Sequence, residues 1–547
     1  MSAAQNPPVR VVGVLGAGTM GAGIAQLACQ IGARTLLYDP VAEALARGAE
    51  RIRKGVAREA EKGRVSQEVA SRIDELLLTT DRLAPFAEAE LVIEAAPERL
   101  DLKHRLLGEL CEIVSERCVI ATNTSSIPVT AVAAGATHPE RVVGMHFFNP
   151  APRMRLVEVI AGLRSGAEAL ALVEAVGKAM GKEVIRANDG PGFLVNRCNR
   201  PFLLEALRLL QEGVATIETI DRIVRQGGGF PMGPFELSDL VGVDTGFDVA
   251  RSFYELSFGE PRWRPSPLAA RYVAAGLHGR KTGRGYYVYT DGQPHRPPDE
   301  PPPPAAKPEV GGGGLVVISG QTALAEELRQ AAAAVGYRVS DGVTKNHDEL
   351  PALILECDVH PRDPVAASGP RLVALISGSL AELDPTGSSV GFHALPPFDN
   401  AELVELTKGP GSSPTVIARA EQLFRTLGKH TVWVEDCPGL VLGRIVCQLI
   451  NEAAFALGEG VGSAKDIDTG MVLGLNHPRG PLEWADLIGL DHVLGVIESL
   501  HREYGEERYR PAPLLRRLVR RGRLGVRTGG GFFEYGPGPS PVGLRSS

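Results

Sequence analysis

A block of this chain recurs 247 residues downstream without a gap, and that duplication limits the fold more than any other feature. His146 and Glu158 return as His393 and Glu405, and Asp189, Pro191 and Gly192 return as Asp436, Pro438 and Gly439. The same offset carries Pro231, Gly233, Pro234, Glu236 and Asp239 onto Pro478, Gly480, Pro481, Glu483 and Asp486. So many matches at one offset identify a tandem repeat. At 547 residues the chain has room for several domains.

The first copy opens with an apolar run, residues 9–15, of the kind found in a parallel strand buried on both faces. Gly16-Ala17-Gly18-Thr19-Met20-Gly21 follows it directly and leads into a helical stretch at 22–31. Between a strand and a helix, this pattern is the dinucleotide-binding fingerprint. Gly16 allows the tight turn, Gly18 lets the backbone approach a pyrophosphate, and Gly21 permits close helix packing, while Thr19 and Met20 start the helix whose N–H groups face the phosphates. A second strand at 35–38 ends in Asp39, 23 residues after Gly16, where a carboxylate accepts from a ribose 2′-hydroxyl and repels a 2′-phosphate. Pro40 and Val41 supply no arginine for that phosphate, so NAD is expected rather than NADP. A turn or cap role for Asp39 is the competing reading.

His146 and Glu158 stand on two short apolar runs, 141–148 and 155–160, separated by Asn149-Pro150-Ala151-Pro152. Proline cannot continue a strand ladder, so the runs are expected to pair antiparallel about Pro152. Each of the two residues is six positions from Pro152 and should face the other. A carboxylate bonded to one imidazole nitrogen fixes the tautomer and raises the basicity of the other, as a general base for a hydroxyl proton requires. A satisfied core histidine is the plainer alternative.

Residues 1–186 therefore read as an α/β Rossmann dinucleotide-binding domain, with 91–94 and 119–122 extending its parallel sheet, and residues 187–290 as an all-α helical domain. Asp189-Gly190-Pro191-Gly192 has the chemistry of a helix start, and 193–212 carries a helical apolar period. The Pro- and Gly-rich segment 291–314 predicts a semi-extended linker. After it, 315–435 reads as a reduced, degenerate Rossmann-like α/β domain and 436–547 as a second all-α helical domain. Ser319-Gly320-Gln321-Thr322 stands where the glycine turn would be, Pro396 matches Asn149, and Gly443 matches Asn196. The second half is expected to be structural, with His393 idle.

A hydrophobic fraction of 44% and a net charge of −7 describe an ordinary globular chain and give no reason to expect nucleic acid. The seven cysteines are scattered, with no CxxC pair, which fits a reducing cytosol and offers no metal site. No apolar run reaches the ~18 residues of a membrane span, and the polar N-terminus lacks a signal-peptide core, so a cytoplasmic location is expected. Arg47, Arg51, Lys54 and Arg58 share one helical face, either a receptor for phosphates or a solvated stripe among Glu43, Glu50 and Glu59.

Seven motifs in order, GAGTMG (16–21), NTSS (123–126), HFFNP (146–150), LVEVI (156–160), PGFLVNR (191–197), PMGPFEL (231–237) and KTGRGYY (281–287), closely resemble the L-3-hydroxyacyl-CoA dehydrogenases. The resemblance covers about residues 9–290. The duplicated layout is similar to the longer bacterial form, which includes 3-hydroxyadipyl-CoA dehydrogenases of phenylacetate degradation. It implies NAD-dependent oxidation of a (3S)-hydroxyacyl-CoA, 3-hydroxybutyryl-CoA and 3-hydroxyadipyl-CoA being the named candidates, with His146 as base and Glu158 as its partner. It also implies that Ser125 and Asn196 hold substrate oxygens and that Asn149 positions the reacting groups. Ser125 and Asn149 would then border the nicotinamide, while Glu98, Lys103 and Lys281 match positions that contact the cofactor or CoA. On residues alone, Ser125 is equally a turn hydroxyl and Lys281 a basic glycine turn.

Helical domains of this family pair between subunits, so the chain is expected either to form a homodimer or to pair its own two helical domains as a pseudo-dimer. Two other functions stay open at this level: a related NAD-dependent hydroxy-acid dehydrogenase acting on a substrate without CoA, and a non-catalytic NAD- or CoA-binding assembly protein.

Overall fold

Eight strands form one sheet in a computed structural model that describes residues 7–307, 314–342, 350–359 and 369–536. They are β1 Val11–Leu15, β2 Arg34–Tyr38, β3 Leu77–Thr80, β4 Leu91–Glu94, β5 Val119–Thr122, β6 Val142–Phe147, β7 Leu156–Ala161 and β8 Glu183–Asn188. Their order is β3-β2-β1-β4-β5-β6-β7-β8, parallel throughout except between β6 and β7. β4 and β5 are buried along their whole length, which accounts for their unbroken apolar sequence, since helices cover both faces. Ile24, Leu37, Ile93 and Val176 fill one face, and Phe86, Leu107, Ile120 and Val132 the other. Strand order reverses at β1, so a crevice opens at the ends of β1 and β4, where the glycine turn lies.

Packing divides the chain differently from the succession of domains read in the sequence. The first compact unit contains the residues up to Arg197 together with Glu459–Leu475 from the second copy. Helix Ala464–Leu475 lies on β7 and β8, and two glycines let it come close. A Cβ on Gly470 would fall 2.7 Å from Val195 Cγ2, and one on Gly474 2.9 Å from Leu156 Cδ2. Asn188 N–H donates to Val461 O at 2.7 Å, and Arg197 pairs with Glu459 at 2.7 Å.

The second unit, Cys198–Gly458 with the residues from Asn476 onward, carries a seven-stranded sheet. Its strands are β9 Leu315–Ser319, β10 Arg338–Ser340, β11 Leu353–Glu356, β12 Arg371–Ala374, β13 Val390–His393, β14 Leu403–Lys408 and β15 His430–Trp433. The order is β10-β9-β11-β12-β13-β14-β15, with β13 and β14 antiparallel. The helical turn Ile223–Gly227 belongs to the first copy yet lies beside β14, where Gln226 O accepts from Glu402 N–H at 2.8 Å. Helix Arg200–Gln211 packs along Leu440–Gly458. The latter is apolar and long enough to cross a membrane by composition, but it is the buried core helix here. Arg444 on it is fully buried and binds Glu205 at 3.0 Å, Glu212 at 2.6 Å, and the hydroxyls of Tyr504 and Tyr509 at 3.0 and 2.7 Å. Arg444 with Glu212 is the 247-residue counterpart of Arg197 with Glu459, the two copies having exchanged partners.

Two further expectations are corrected. The stretch 193–212 is not one helix but Val195–Cys198 and Arg200–Gln211, parted at Asn199 with Pro201 just inside the second. Asp189 does not cap it, because its carboxylate instead accepts from Val129 and Thr130 N–H at 2.9 and 2.7 Å. Over 291–307 the semi-extended linker forms no helix or strand, and it is tied to the second unit along its length. Asp299 forks with Arg225 at 2.7 and 2.8 Å, His295 donates to Glu236 at 2.8 Å, Pro301 O accepts from His430 at 3.0 Å, and Ala306 N–H bonds Thr426 O at 2.9 Å. Of its terminal glycines, 311–313 lie outside the described residues. Removing the buried Arg444 guanidinium strands two carboxylates, so Arg444→Met should cost about 3–5 kcal/mol in equilibrium chemical denaturation.

Candidate active site

The β6–β7 hairpin sets the site's geometry. His146 is registered opposite Glu158, as the symmetric spacing about Pro152 predicts. The imidazole Nδ1 donates to Glu158 Oε2 at 2.7 Å, with both residues buried. The other carboxylate oxygen accepts from the N–H groups of Leu194 and Val195 at 3.2 and 3.0 Å, so the glutamate cannot turn away from the ring. With Nδ1 donating, Nε2 carries the lone pair, and Ser125 Oγ stands 3.1 Å from it. Phe148 and Phe193 flank the imidazole, with ring centroids 4.8 and 5.9 Å away. Phe193 has φ 51, a left-handed turn that brings Leu194 and Val195 under the carboxylate.

Ser125 owes its position to a residue expected to touch the cofactor. Glu98 Oε1 accepts from the N–H groups of Ser125 and Ser126, each at 2.9 Å, and from Thr124 Oγ1 at 2.6 Å. Burial tends to raise the Glu98 pKa, but Lys103 and these hydrogen bonds outweigh it and hold the carboxyl below its ordinary value. Lys103 itself is only 1% exposed, with its ammonium between Glu94 at 2.8 Å and Glu98 at 3.3 Å. It therefore braces Glu98 from behind. Sequence reasoning missed Asn123, whose Oδ1 accepts Phe147 N–H at 2.8 Å and fixes the end of β6, and it missed the paired N–H groups of Leu194 and Val195. Asn123 stands inside the NTSS motif and was visible there, whereas backbone donors leave no mark in a sequence.

Asn149 is exposed just beyond β6, and Asn196 is partly buried on Val195–Cys198, next to the residue that holds Glu158. Lys281 belongs to the second unit, where its ammonium pairs with Asp244 at 2.6 Å.

The residues at the end of β1 fit a dinucleotide. Gly16 has φ +104, and a Cβ there would strike Ala95 O at 2.6 Å. A Cβ on Gly21 would fall 1.8 Å from Gly16 O, which accounts for the helix packing so close to the turn. Nothing lies within 4 Å of the place a Gly18 Cβ would take, and no side chain caps helix Thr19–Gln30, so its first N–H groups face open space that a pyrophosphate can fill. Asp39 accepts from Ala17 and Val41 N–H at 2.9 and 3.0 Å, one bond to each oxygen, with acceptor capacity remaining for a ribose. The turn role thus leaves Asp39 free to take the expected ribose role as well.

The second copy keeps the frame and loses the chemistry. Gly320 repeats Gly16, with φ +106 and Cys357 O 2.5 Å from its Cβ position. Two residues on, Thr322 accepts from Ala325 N–H and caps the helix that Gly18 leaves uncapped. Glu405 still accepts from Val441 and Leu442 N–H at 2.7 and 2.9 Å. Its histidine has turned elsewhere: His393 Nε2 lies 3.1 Å from His492 Nε2, and His393 Nδ1 has no partner among the described residues. A Cβ on Gly443 would fall 2.2 Å from His393 Cε1, so the ring occupies the ground that an asparagine would need. Burial pushes Glu405 up to about 8 and draws His393 well down, as expected for a carboxyl and a ring kept neutral. Asp436 binds Leu380 and Ala381 N–H as Asp189 binds Val129 and Thr130, which aligns Ser125 with Ile376.

A dinucleotide turn and a buried His–Glu pair on one doubly wound sheet define an NAD-dependent alcohol dehydrogenase. The 3-hydroxyacyl-CoA dehydrogenase NAD-binding domain profile matches residues 11–190 and again 376–437, and the profile of the C-terminal domain matches 192–289 and 439–535. The chain is 36% identical over 508 residues to the 3-hydroxyadipyl-CoA dehydrogenase of Escherichia coli K12, covering 93% of this chain and 97% of that one. A probable 3-hydroxybutyryl-CoA dehydrogenase of Deinococcus radiodurans is 42% identical over 277 residues, 51% of this chain and 99% of its own. The crystal structure of 3-hydroxybutyryl-CoA dehydrogenase from Escherichia coli K12 superposes with TM-score 0.78 at 34% identity, covering 94% of this chain and 99% of that one. The chain belongs to the 3-hydroxyacyl-CoA dehydrogenase family and is an NAD-dependent oxidoreductase of 3-hydroxyacyl-CoA.

His146→Gln should leave NAD binding, followed by fluorescence titration, near the wild-type level while kcat falls by about 10²–10⁴. His393→Gln should change kcat by no more than about twofold, because that ring touches no reacting group. Gly470→Leu, which wedges helix Ala464–Leu475 off Val195, should cost about 1–3 kcal/mol and lower kcat by loosening the donors to Glu158.

Proposed function

We propose that the chain oxidises a short (3S)-hydroxyacyl-CoA of the 3-hydroxyadipyl type at the single site in its first half. The Ser125–His146–Glu158 chain of hydrogen bonds carries this reading. His146 Nε2 removes the proton of the C3 hydroxyl, Ser125 Oγ holds that oxygen beside the ring, and Glu158 stabilises the imidazolium that results. NAD, when bound, accepts the hydride from C3. The fixed N–H groups of Leu194 and Val195 keep the carboxylate aligned throughout, so little reorganisation accompanies the proton transfer. Asn149 and Asn196 orient the carbonyl and hydroxyl oxygens, as the family resemblance implies. Lys281 serves the cofactor side on the same ground.

A groove of about 680 Å³ supports a CoA thioester over a free acid. Arg47, Arg51, Lys54, Arg58 and Arg153 line it alongside Thr19, the first residue of the helix after the glycine turn, with only Glu50 and Glu59 opposing them. The basic stripe is thus one wall of a concavity, and we assign the phosphates of CoA to it. The 3-hydroxyadipyl substrate rests on the relative from Escherichia coli, which shares nearly the whole length of the chain. The exchanged pairs Arg197–Glu459 and Arg444–Glu212 support an intrachain pseudo-dimer, in which each helical domain finds its partner on the same chain. All seven cysteines are free thiols, in keeping with the cytosol.

Formation of NADH should be measured with (S)-3-hydroxybutyryl-CoA, (S)-3-hydroxyadipyl-CoA and free 3-hydroxybutyrate side by side. Turnover of the thioesters, fastest with the adipyl compound, is expected. Activity confined to the free acid would overturn the assignment.

A further inference from the structure

Lys182 takes no part in the proton chemistry at His146, yet its ammonium holds the loop that joins β6 to β7. The residue is only 7% exposed, and Nζ donates to Ala151 O and to Met154 O, each at 2.7 Å. Between those carbonyls the chain makes one tight turn, in which the N–H groups of Arg153 and Met154 donate to Pro150 O at 2.9 and 3.1 Å. Ala151 is buried, while Asn149, Pro150 and Arg153 are exposed. The lysine thus grips the buried side of the turn and leaves the rest of it to the groove assigned to the CoA phosphates, which Pro150, Pro152 and Arg153 help to line. The turn also rests on the helix that follows the glycine fingerprint, since a Cβ on Gly23 would fall 3.0 Å from Pro152 Cδ.

The second copy contains the same contact in different company. Lys429, 247 residues on, donates to Phe398 O and Asp399 O at 3.1 and 3.2 Å, and Phe398 is the counterpart of Ala151. Burial draws Lys429 below its ordinary value, and the carboxylates of Asp399 and Glu402 oppose that pull. In the first copy Pro152 and Arg155 occupy those two positions, and Arg153 stands where the second copy has Asn400. No carboxylate offsets burial there, and Lys182 is drawn down to about 8, which leaves it mostly cationic at neutral pH. A carboxylate on this turn would ease the burial of the lysine and repel a phosphate in the groove. Its absence from the first copy fits a turn that meets an anion.

We propose that Lys182 is a positioning residue for the dehydrogenase reaction: by holding the carbonyls of Ala151 and Met154 it sets where Arg153 and the prolines of the groove stand, and so the grip on the phosphates of a CoA thioester. Both of its bonds are charge-assisted and run to backbone oxygens, so they fix the main chain itself. Without them the turn keeps its internal bonds and its packing on Gly23, and a displacement of about 1 Å is enough to weaken a positioned contact.

The inference rests on the assignment of the CoA phosphates to this groove, and one set of assays separates the two. NADH formation is measured for the full-length wild type, Lys182→Met and Lys429→Met with (S)-3-hydroxybutyryl-CoA and with (S)-3-hydroxybutyryl-pantetheine, which keeps the thioester and has no phosphate. Wild type should prefer the CoA thioester by about tenfold or more in kcat/KM. Lys182→Met should raise KM for the CoA thioester about tenfold with kcat within about threefold, and should change either constant for the pantetheine thioester less than about twofold. Lys429→Met breaks the same contact in the idle copy and should leave both substrates within about twofold of wild type. Equal losses on both substrates with Lys182→Met, an unchanged KM for the CoA thioester, or the same rise in KM with Lys429→Met would overturn the positioning role and leave the groove assignment intact. A wild type that turns over the two thioesters equally well would overturn the groove assignment and the inference with it. Should Lys182→Met fail to fold, Lys182→Gln, which keeps an N–H donor and loses the charge, decides by the same ratio of CoA to pantetheine thioester.

Discussion

Glu158 is gripped from two sides, by the ring of His146 on the neighbouring strand and by two backbone N–H groups at the threshold of the helical region, and the site depends on that grip. It joins the one antiparallel step of the first sheet to the turn that leads out of it. A carboxylate so placed is costly to bury without donors, and it has three. The second copy separates the two duties. There Glu405 keeps both N–H donors but lacks the histidine, and the strand pair and following helix still stand. The grip is thus a device for joining elements, onto which the first copy adds a proton acceptor.

The changes in the second copy follow a common physical logic. Each replaces a polar group or an open helix end of the first copy with a feature that closes the position within the protein. Thr322 caps a helix that Gly18 leaves open, Ile376 stands where Ser125 offers a hydroxyl, and Gly443 lets His393 settle into space that Asn196 holds in the first copy. An open helix end destabilises an unliganded protein, so a half freed from catalysis gains stability by closing it.

Much of this was legible in the sequence. Period and spacing located β4 and β5 to the residue, and the symmetry of His146 and Glu158 about Pro152 predicted their register. Both signals are local, which is why they carry. What escaped was non-local or without a side chain. The break at Asn199 lies inside an unbroken apolar period, the donors to Glu158 are backbone groups, and the strap formed by 295–306 depends on Arg225 and Glu236, some 60 to 75 residues earlier. Lys103 was legible as a position, but sequence does not reveal that Glu94 and Glu98 enclose its charge.

Helix Ala464–Leu475 completes the face of β7 and β8, strands that are synthesised almost 290 residues before it. At about 5–20 residues per second, translation leaves that face of the catalytic unit uncovered for roughly 15 to 60 seconds. Leu156, Ile185 and Val195 are bare during that interval, on a sheet whose partner is still being made. Because that helix belongs to the same chain, the wait for it is set by the ribosome and not by concentration.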